Sequence, residues 1–181
     1  MKKGIPVLTF VMNNKFCSRS KRSQMKLSFG MIFSIILIVF FLVFAFYAIM
    51  KLLEVQDSIK VGKFLDKIQS DVDKMWKGSQ GSQEEPYSLP EKIEYVCFGD
   101  YSSSSKGENR NFYETLKQAY YSDENLFFYP IGSAGDLGSK KVNHIDLDKM
   151  TERDNPFCIK NYGKVKLTIK KGFNENLVTI S

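Results

Sequence analysis

Residues 28–50 read SFGMIFSIILIVFFLVFAFYAIM, a stretch that contains no charged side chain and no proline. An α-helix rises about 1.5 Å per residue, so a helix over this stretch is about 34 Å long, slightly longer than the roughly 30 Å hydrocarbon core of a bilayer. A helix that is apolar on every face requires lipid, or equally apolar helices, around it. The stretch therefore predicts a transmembrane helix over residues 28–50.

Basic side chains precede this stretch and acidic ones do not. No Asp or Glu occurs before Glu54, so the formal net charge of +6 comes from the arm at residues 1–27. Positive side chains are retained on the cytoplasmic side of a membrane. We therefore expect a single-pass protein of the plasma membrane, with this arm in the cytoplasm and the C-terminal part outside. The basic residues of the arm are Lys2, Lys3, Lys15, Arg19, Lys21, Arg22 and Lys26.

The position of the charge also indicates a partner. A basic arm beside a transmembrane helix fits anionic lipid headgroups, so membrane lipid is the expected partner and nucleic acid is not. A cleaved signal peptide has a shorter apolar core, of about 7 to 15 residues, followed by small residues at the cleavage site. The sequence KLLEVQDS that follows residue 50 has no such site. We therefore expect the helix to be retained.

Apolar residues continue at helical spacing beyond the predicted span, with charged residues between them. This pattern predicts an amphipathic extension over residues 51–77, and hence one continuous helix from Phe29 to Lys77. Gly62 is the expected place for a bend, and Gly78 suits a C-terminal cap. The apolar stripe consists of Leu52, Val55, Ile59, Leu65, Ile68, Val72 and Met75, with Phe64 and Trp76 beside it.

The chain changes character after this helix. Residues 78–86, GSQGSQEEP, predict an exposed and mobile linker. Residues 87–181 combine strand-like alternation with one short helical pattern over residues 111–121. We therefore expect an α+β fold, in which the long N-terminal transmembrane and amphipathic helix precedes a small, mostly antiparallel β-rich extracytoplasmic domain. The predicted strands are residues 92–98, 125–130 and 142–147, and a hairpin pairs residues 164–169 with 176–180.

The three cysteines fall in different compartments. Cys17 lies in the predicted cytoplasmic arm and should stay reduced. Cys97 and Cys158 lie in the predicted outer domain, where an oxidising environment favours a disulfide between them. Two buried free thiols are the alternative, and the spacing does not resemble a metal site.

A basic arm, an apolar helix, an amphipathic extension and a small β-rich head occur together in type IV pilins and their relatives, which this chain resembles. KRSQMKLSF (residues 21–29) resembles the archaeal class III signal peptide that precedes such helices. The resemblance implies cleavage between Ser23 and Gln24 by a prepilin peptidase. It also implies packing with copies of the chain, or with other pilin-like subunits, through the apolar helix in a surface filament or envelope assembly.

Two positions depart from the family pattern. Ser23 stands where the family usually has Gly, and Ser28 stands where it usually has Glu. The alternative is a bitopic membrane protein whose small outer domain binds a partner. Within the span, Gly30 and Ser34 form a small-xxx-small pair that would let another helix approach closely, although such pairs also arise by chance.

An enzyme is not indicated. His144, the single histidine, stands near Asp146 and Asp148 in VNHIDLD, but no nucleophile elbow, zinc, Walker or dinucleotide motif accompanies it. Two carboxylates alone are also too few for calcium, which takes six to eight oxygen ligands. We therefore expect no catalytic residues, no metal, no cofactor and no small-molecule substrate.

Overall fold

A computed structural model describes residues 29–120 and 123–181 and shows an α+β chain. Its helices are α1 (Phe29–Lys77), α2 (Arg110–Ala119) and α3 (Leu147–Met150). Its strands are β1 (Gly81–Ser88), β2 (Tyr95–Phe98), β3 (Leu126–Tyr129), β4 (Ser139–Lys140), β5 (Phe157–Lys160), β6 (Lys164–Lys171) and β7 (Thr179–Ile180). The predicted long helix is confirmed over Phe29–Lys77, and it runs through Gly62.

The strands form two antiparallel sheets. One has the order β1-β6-β7 and the other the order β4-β3-β2-β5. The predicted hairpin is confirmed, because β6 pairs with β7 in antiparallel register. The chain divides between Phe44 and Ala45 into two units, so that α1 begins in the first and ends in the second. We call Ala45–Ser181 the C-terminal unit.

The last turns of α1 pack on both sheets of the C-terminal unit. The Phe64 ring makes edge contacts with Tyr87 of β1 and Phe128 of β3, with centroid distances of 5.4 and 5.7 Å. The buried α1 residues include Phe64, Leu65, Ile68 and Val72 of the predicted pattern, because one helix face must reach the sheets. Val61 and Asp71, which the pattern did not include, are buried with them.

The C-terminal end of α1 is held by a lysine from the neighbouring sheet. The Lys171 ammonium donates to the carbonyl oxygens of Trp76 (2.6 Å) and Gly78 (2.8 Å). Carbonyls at a helix C-terminus lack intrahelical partners and carry partial negative charge, so a cation there satisfies both needs.

The polar segment expected to be a linker is instead strand β1. All eight residues of Gly81–Ser88 pair with Lys171–Lys164 of β6. The sequence did not reveal the strand because it has a single buried side chain, Tyr87, and a proline, Pro86. Both features suit an edge strand, whose backbone pairs on one side only and whose outer face meets water.

Residues 142–147 are not a strand. Ile145 makes one isolated parallel bridge with Val178, and α3 begins two residues later. His144 has a left-handed backbone conformation (φ 65°), which interrupts an extended chain. The Asp146 carboxylate accepts a hydrogen bond from the Lys149 backbone N–H (3.1 Å), so this aspartate caps α3.

Candidate functional site: an uncovered helix and the unit that packs on its end

The first part of α1 has no side chain buried by the rest of the described chain. Every residue from Phe29 to Gln56 is exposed, although most of these residues to Met50 are apolar. By length and composition, α1 is able to cross a membrane, and none of its most apolar window is buried. An apolar surface of this size on a soluble monomer would be exceptional.

Gly30 and Ser34 lie on this uncovered part of the helix. The Ser34 hydroxyl donates to the Gly30 carbonyl oxygen at 2.8 Å, within the same helix. The one polar side chain among residues 29–46 is thereby satisfied internally, as an apolar surrounding requires. Contact of this pair with a second helix stays a prediction.

The predicted apolar stripe changes from exposed to buried between Ile59 and Leu65. Leu52, Val55 and Ile59 are 58, 54 and 50% exposed, whereas Val61 is 1% exposed. The sheets of the C-terminal unit therefore cover only the later part of the stripe. Residues 51–60, nearly three turns of amphipathic helix, lie between the predicted span and the packed part, and their apolar side chains are exposed.

A disulfide joins Cys97 and Cys158, as the sequence predicts. The two residues lie directly opposite each other on neighbouring strands β2 and β5. Cys97 is buried in a second, smaller hydrophobic core together with Leu116 of α2 and Phe127 of β3. The bridge therefore ties a central strand to the edge strand of the four-stranded sheet.

His144 lies against the end of α1 and not in a catalytic arrangement with Asp146 and Asp148. Its ring stacks on the Trp76 indole (centroid distance 3.8 Å, interplanar angle 7°), and its Nδ1 lies 3.0 Å from Asp73 Oδ1. The hydrogen bond with His144 holds the pKa of the Asp73 carboxyl below its usual value. The Asp146 carboxylate instead accepts from the α3 backbone.

A buried polar pair, which was not predicted from the sequence, also joins α1 to β1. The Tyr87 hydroxyl donates to Asp71 Oδ2 at 2.9 Å in the core. Burial, and then the hydrogen bond to Asp71, raise the pKa of Tyr87 far above its usual range. Asp71 stands among the charged residues between apolar positions of the helix, so its sequence context resembled that of a solvent-exposed residue.

Charged and aromatic side chains surround α1 at one end of the C-terminal unit. We call them the rim: Asp57, Lys60, Glu91, Lys92, Lys160, Tyr162 and Lys164. Lys92 Nζ lies 3.2 Å from Asp57 Oδ2 on α1, which places residues 89–93 beside the helix. The buried Asn161 amide donates to the Pro90 and Ile93 carbonyl oxygens (2.9 and 2.7 Å), which fixes the β5–β6 turn there. Tyr162 in that turn is 80% exposed. The sequence analysis did not identify Tyr162 or the lysines beside it as a surface. Residues on either side of a turn can be assigned to one face only when the bounds of the strands are known.

Within residues 29–120 and 123–181, no three His, Cys, Asp or Glu side chains are grouped so that they could hold a metal ion. The predicted processing site, Ser23 and Gln24, the basic arm and Cys17 lie outside the described residues. No family model, no curated protein and no solved structure matches this chain.

Proposed function

We propose that the chain is a single-pass membrane protein, with residues 28–50 in the bilayer, the basic arm in the cytoplasm and the C-terminal unit outside. The observation that carries this proposal is the contrast within α1. Its later part is buried by the protein's own sheets, while its earlier part presents apolar side chains that nothing in the described chain covers. Lipid satisfies such a surface, and the excess of arginine and lysine before it sets its direction.

A disulfide between two β-strands supports the placement of the C-terminal unit outside. Cysteine pairs persist as disulfides in extracytoplasmic environments and are kept reduced in the cytosol of most cells. Cys97 and Cys158 lie in the part of the chain that the charge distribution assigns to the exterior.

Within this class we propose the role of a type IV pilin-like subunit in a surface filament or envelope assembly. Two observations support this role. The early part of α1 is apolar and exposed while its later part packs on the sheets, and KRSQ (residues 21–24) before the helix resembles a class III signal peptide. In such an assembly the uncovered side chains of residues 29–59 contact the same helix in other subunits. Leu52, Val55 and Ile59 matter here, since they extend the uncovered apolar surface past the predicted span.

The second candidate is a bitopic membrane protein whose outer domain binds a partner. The observation that favours it is Ser28, which stands where pilins usually have Glu. In this case the arm is retained, and its positive charges hold the N-terminus at the cytoplasmic face.

N-terminal sequencing of the protein extracted from membranes separates the two candidates. A mature N-terminus at Gln24 is expected for the pilin-like subunit, because the charged arm must be removed before the helix can leave the bilayer. Charged residues at the centre of a span cost about 2.5 to 3.5 kcal/mol each on insertion scales. An N-terminus at Met1 in the membrane-extracted protein contradicts the pilin-like role and leaves the bitopic protein. Ser23→Asp serves as a variant that should block cleavage if it occurs.

A further inference from the structure

The rim lies at a definite height on α1. Asp57 and Lys92 meet at 3.2 Å, and Asp57 follows the predicted end of the span, Met50, by seven residues. At about 1.5 Å per residue, the rim lies about 10 Å beyond the hydrocarbon boundary. The headgroup layer on each side of a bilayer is about 5 to 8 Å thick, so Asp57 lies about 2 to 5 Å outside that layer, within reach of a tyrosine or lysine side chain. A transmembrane helix also tilts by about 20° on average, which brings one side of such a rim still closer.

The exposed face of this rim is amphipathic. Lys160, Tyr162 and Lys164 alternate along the end of β5, the turn and the start of β6, and all three are exposed. Lys160 Nζ lies 5.2 Å from the centroid of the Tyr162 ring. Tyrosine is enriched at the membrane interface, where its ring meets the acyl boundary and its hydroxyl meets water.

The two lysines are available to a partner. Among the described residues, neither Lys160 nor Lys164 has a carboxylate within 4.0 Å, whereas Lys92 and Lys60 both lie near Asp57. Glu91 lies beside this turn, since its Cγ would be 4.0 Å from a Cβ built on Gly163. The exposed Glu94, whose backbone carbonyl oxygen accepts from the Asn161 N–H, is the second acidic residue near the two lysines.

We propose that the Lys160, Tyr162 and Lys164 face docks on the anionic phospholipid headgroups of the membrane that holds α1. The lysines contact the phosphate groups and the Tyr162 ring enters the interfacial layer. This inference rests on the proposed membrane function, and it adds a second contact that fixes how the C-terminal unit leans on the bilayer. Each lysine near an anionic surface contributes about 1 kcal/mol.

The opposite end of β6 offers a matched control. Lys170 is also exposed, and it lies on the same side of β6 as Lys164 because it is six residues further along the strand. At about 3.3 Å per residue, the two side chains are about 20 Å apart. Lys170 pairs in register with Thr179 of β7, next to the end of α1 and far from the rim. Its charge should not contribute to docking.

The test uses the full chain reconstituted in phosphatidylcholine vesicles and in vesicles with equal parts of phosphatidylcholine and phosphatidylglycerol, with brominated acyl chains as quenchers. Trp76, the single tryptophan, lies at the far end of the C-terminal unit and reports no contact with the membrane. Tyr162→Trp adds a reporter in the rim. In the mixed vesicles we expect the added fluorescence to be quenched while that of Trp76 is unchanged, and in phosphatidylcholine alone we expect clearly weaker quenching.

Charge reversal then tests the lysines. In the Tyr162→Trp chain, Lys160→Glu with Lys164→Glu should shift the balance from docked to undocked at least about 30-fold, which is the loss of about 2 kcal/mol converted at 1.4 kcal/mol per tenfold. Lys170→Glu in the same chain should leave quenching unchanged. Quenching that is absent, equal in both lipids, or lowered as much by Lys170→Glu overturns the inference.

Flotation of the same vesicles keeps the two proposals apart. A chain that floats with the vesicles but shows no quenching at position 162 overturns the docking face and leaves the membrane anchor intact. A chain that stays at the bottom of the gradient contradicts the anchor and the docking face together.

Discussion

The two parts of α1 both present apolar side chains, but their surroundings differ. From Val61 onward one face of the helix is buried against two sheets of its own chain, whereas the apolar side chains before Val61 are exposed. Nothing in the helical periodicity marks this division, because Ile59 and Ile68 belong to the same predicted stripe. The difference teaches that the protein buries the apolar side chains of only one part of this helix, so the other part requires an apolar environment from outside the chain.

The comparison separates two kinds of stability. Residues after Val61 should determine the free energy of unfolding of the C-terminal unit, whereas residues before it should affect membrane insertion or association and leave that free energy unchanged. Each prediction below compares a change in the packed part with a matched change elsewhere. Unfolding is measured in detergent micelles by denaturant titration, with Trp76 fluorescence as the probe.

The largest expected effect is the loss of the disulfide. Cys97 and Cys158 are 61 residues apart in sequence, and closing a loop of that size stabilises a fold by about 4 kcal/mol in the chain-entropy model. Cys97→Ala with Cys158→Ala should lower the unfolding free energy by about 2 to 5 kcal/mol. Cys17→Ala is the control and should change it by less than about 0.5 kcal/mol. Equal stability of the double variant and the native chain would contradict a native bridge, as would recovery of both thiols in alkylated form from the folded protein.

The second prediction uses two isoleucines of one stripe. Ile68 is 0% exposed and Ile59 is 50% exposed. Ile68→Ala should destabilise the C-terminal unit by about 2 to 5 kcal/mol, since it removes buried methyl groups and leaves a cavity. Ile59→Ala should cost less than about 0.5 kcal/mol. A similar cost for both would mean that the packed part of α1 begins earlier than Val61.

The third prediction concerns the buried pair between α1 and β1. Tyr87→Phe keeps the ring against Phe64 but removes the hydroxyl that donates to Asp71. It should cost about 1 to 3 kcal/mol, because the Asp71 carboxylate loses a partner in the core. Tyr162→Phe is the matched control, since that hydroxyl is exposed, and it should be neutral. If Asp71→Asn combined with Tyr87→Phe is as unstable as the sum of the single changes, the two groups do not interact.

The smallest predicted effect is a dependence on pH. The hydrogen bond from His144 lowers the pKa of Asp73 in the folded chain. The ionised carboxylate therefore stabilises the fold at pH values above its unfolded pKa of about 3.9. This contribution disappears as the pH falls through the lower pKa of the folded state. Between about pH 5 and pH 3, Asp73→Asn should therefore lose less stability than the native chain. The difference should stay below about 1 kcal/mol, because the pair is partly exposed. Identical acid titrations for Asp73→Asn and the native chain would show that the pair does not contribute.

Patterns that depend on nearby residues were readable in the sequence. The bounds of α1, helix α2, strands β2 and β3 and the β6–β7 hairpin all follow from periodicity within one segment. The pairing of Cys97 with Cys158 was also accessible, because only these two cysteines share the C-terminal part of the chain. In each case the local signal and the tertiary structure agree.

Features that depend on a distant partner were not readable. Strand β1 exists because β6 lies beside it, and GSQEEPYS shows no strand-like alternation by itself. The prediction of a strand at residues 142–147 was wrong, although the segment shows strand-like alternation. The left-handed backbone of His144 interrupts the extended chain, and Asp146 caps helix α3. The change from exposed to buried along the α1 stripe, between Ile59 and Leu65, and the rim around Tyr162 likewise depend on where the sheets come to lie.

The central claim is that residues 28–50 lie in a membrane and leave the C-terminal unit outside. Ser79 is exposed, follows α1 and precedes β1, so a single cysteine introduced there by Ser79→Cys, with Cys17→Ser, is accessible and leaves the disulfide untouched. A membrane-impermeant thiol reagent applied to intact cells should label this site, and the labelled protein should sediment with the membranes and resist extraction by carbonate. Labelling that requires lysis of the cells, or a protein released in the soluble fraction, would contradict the account.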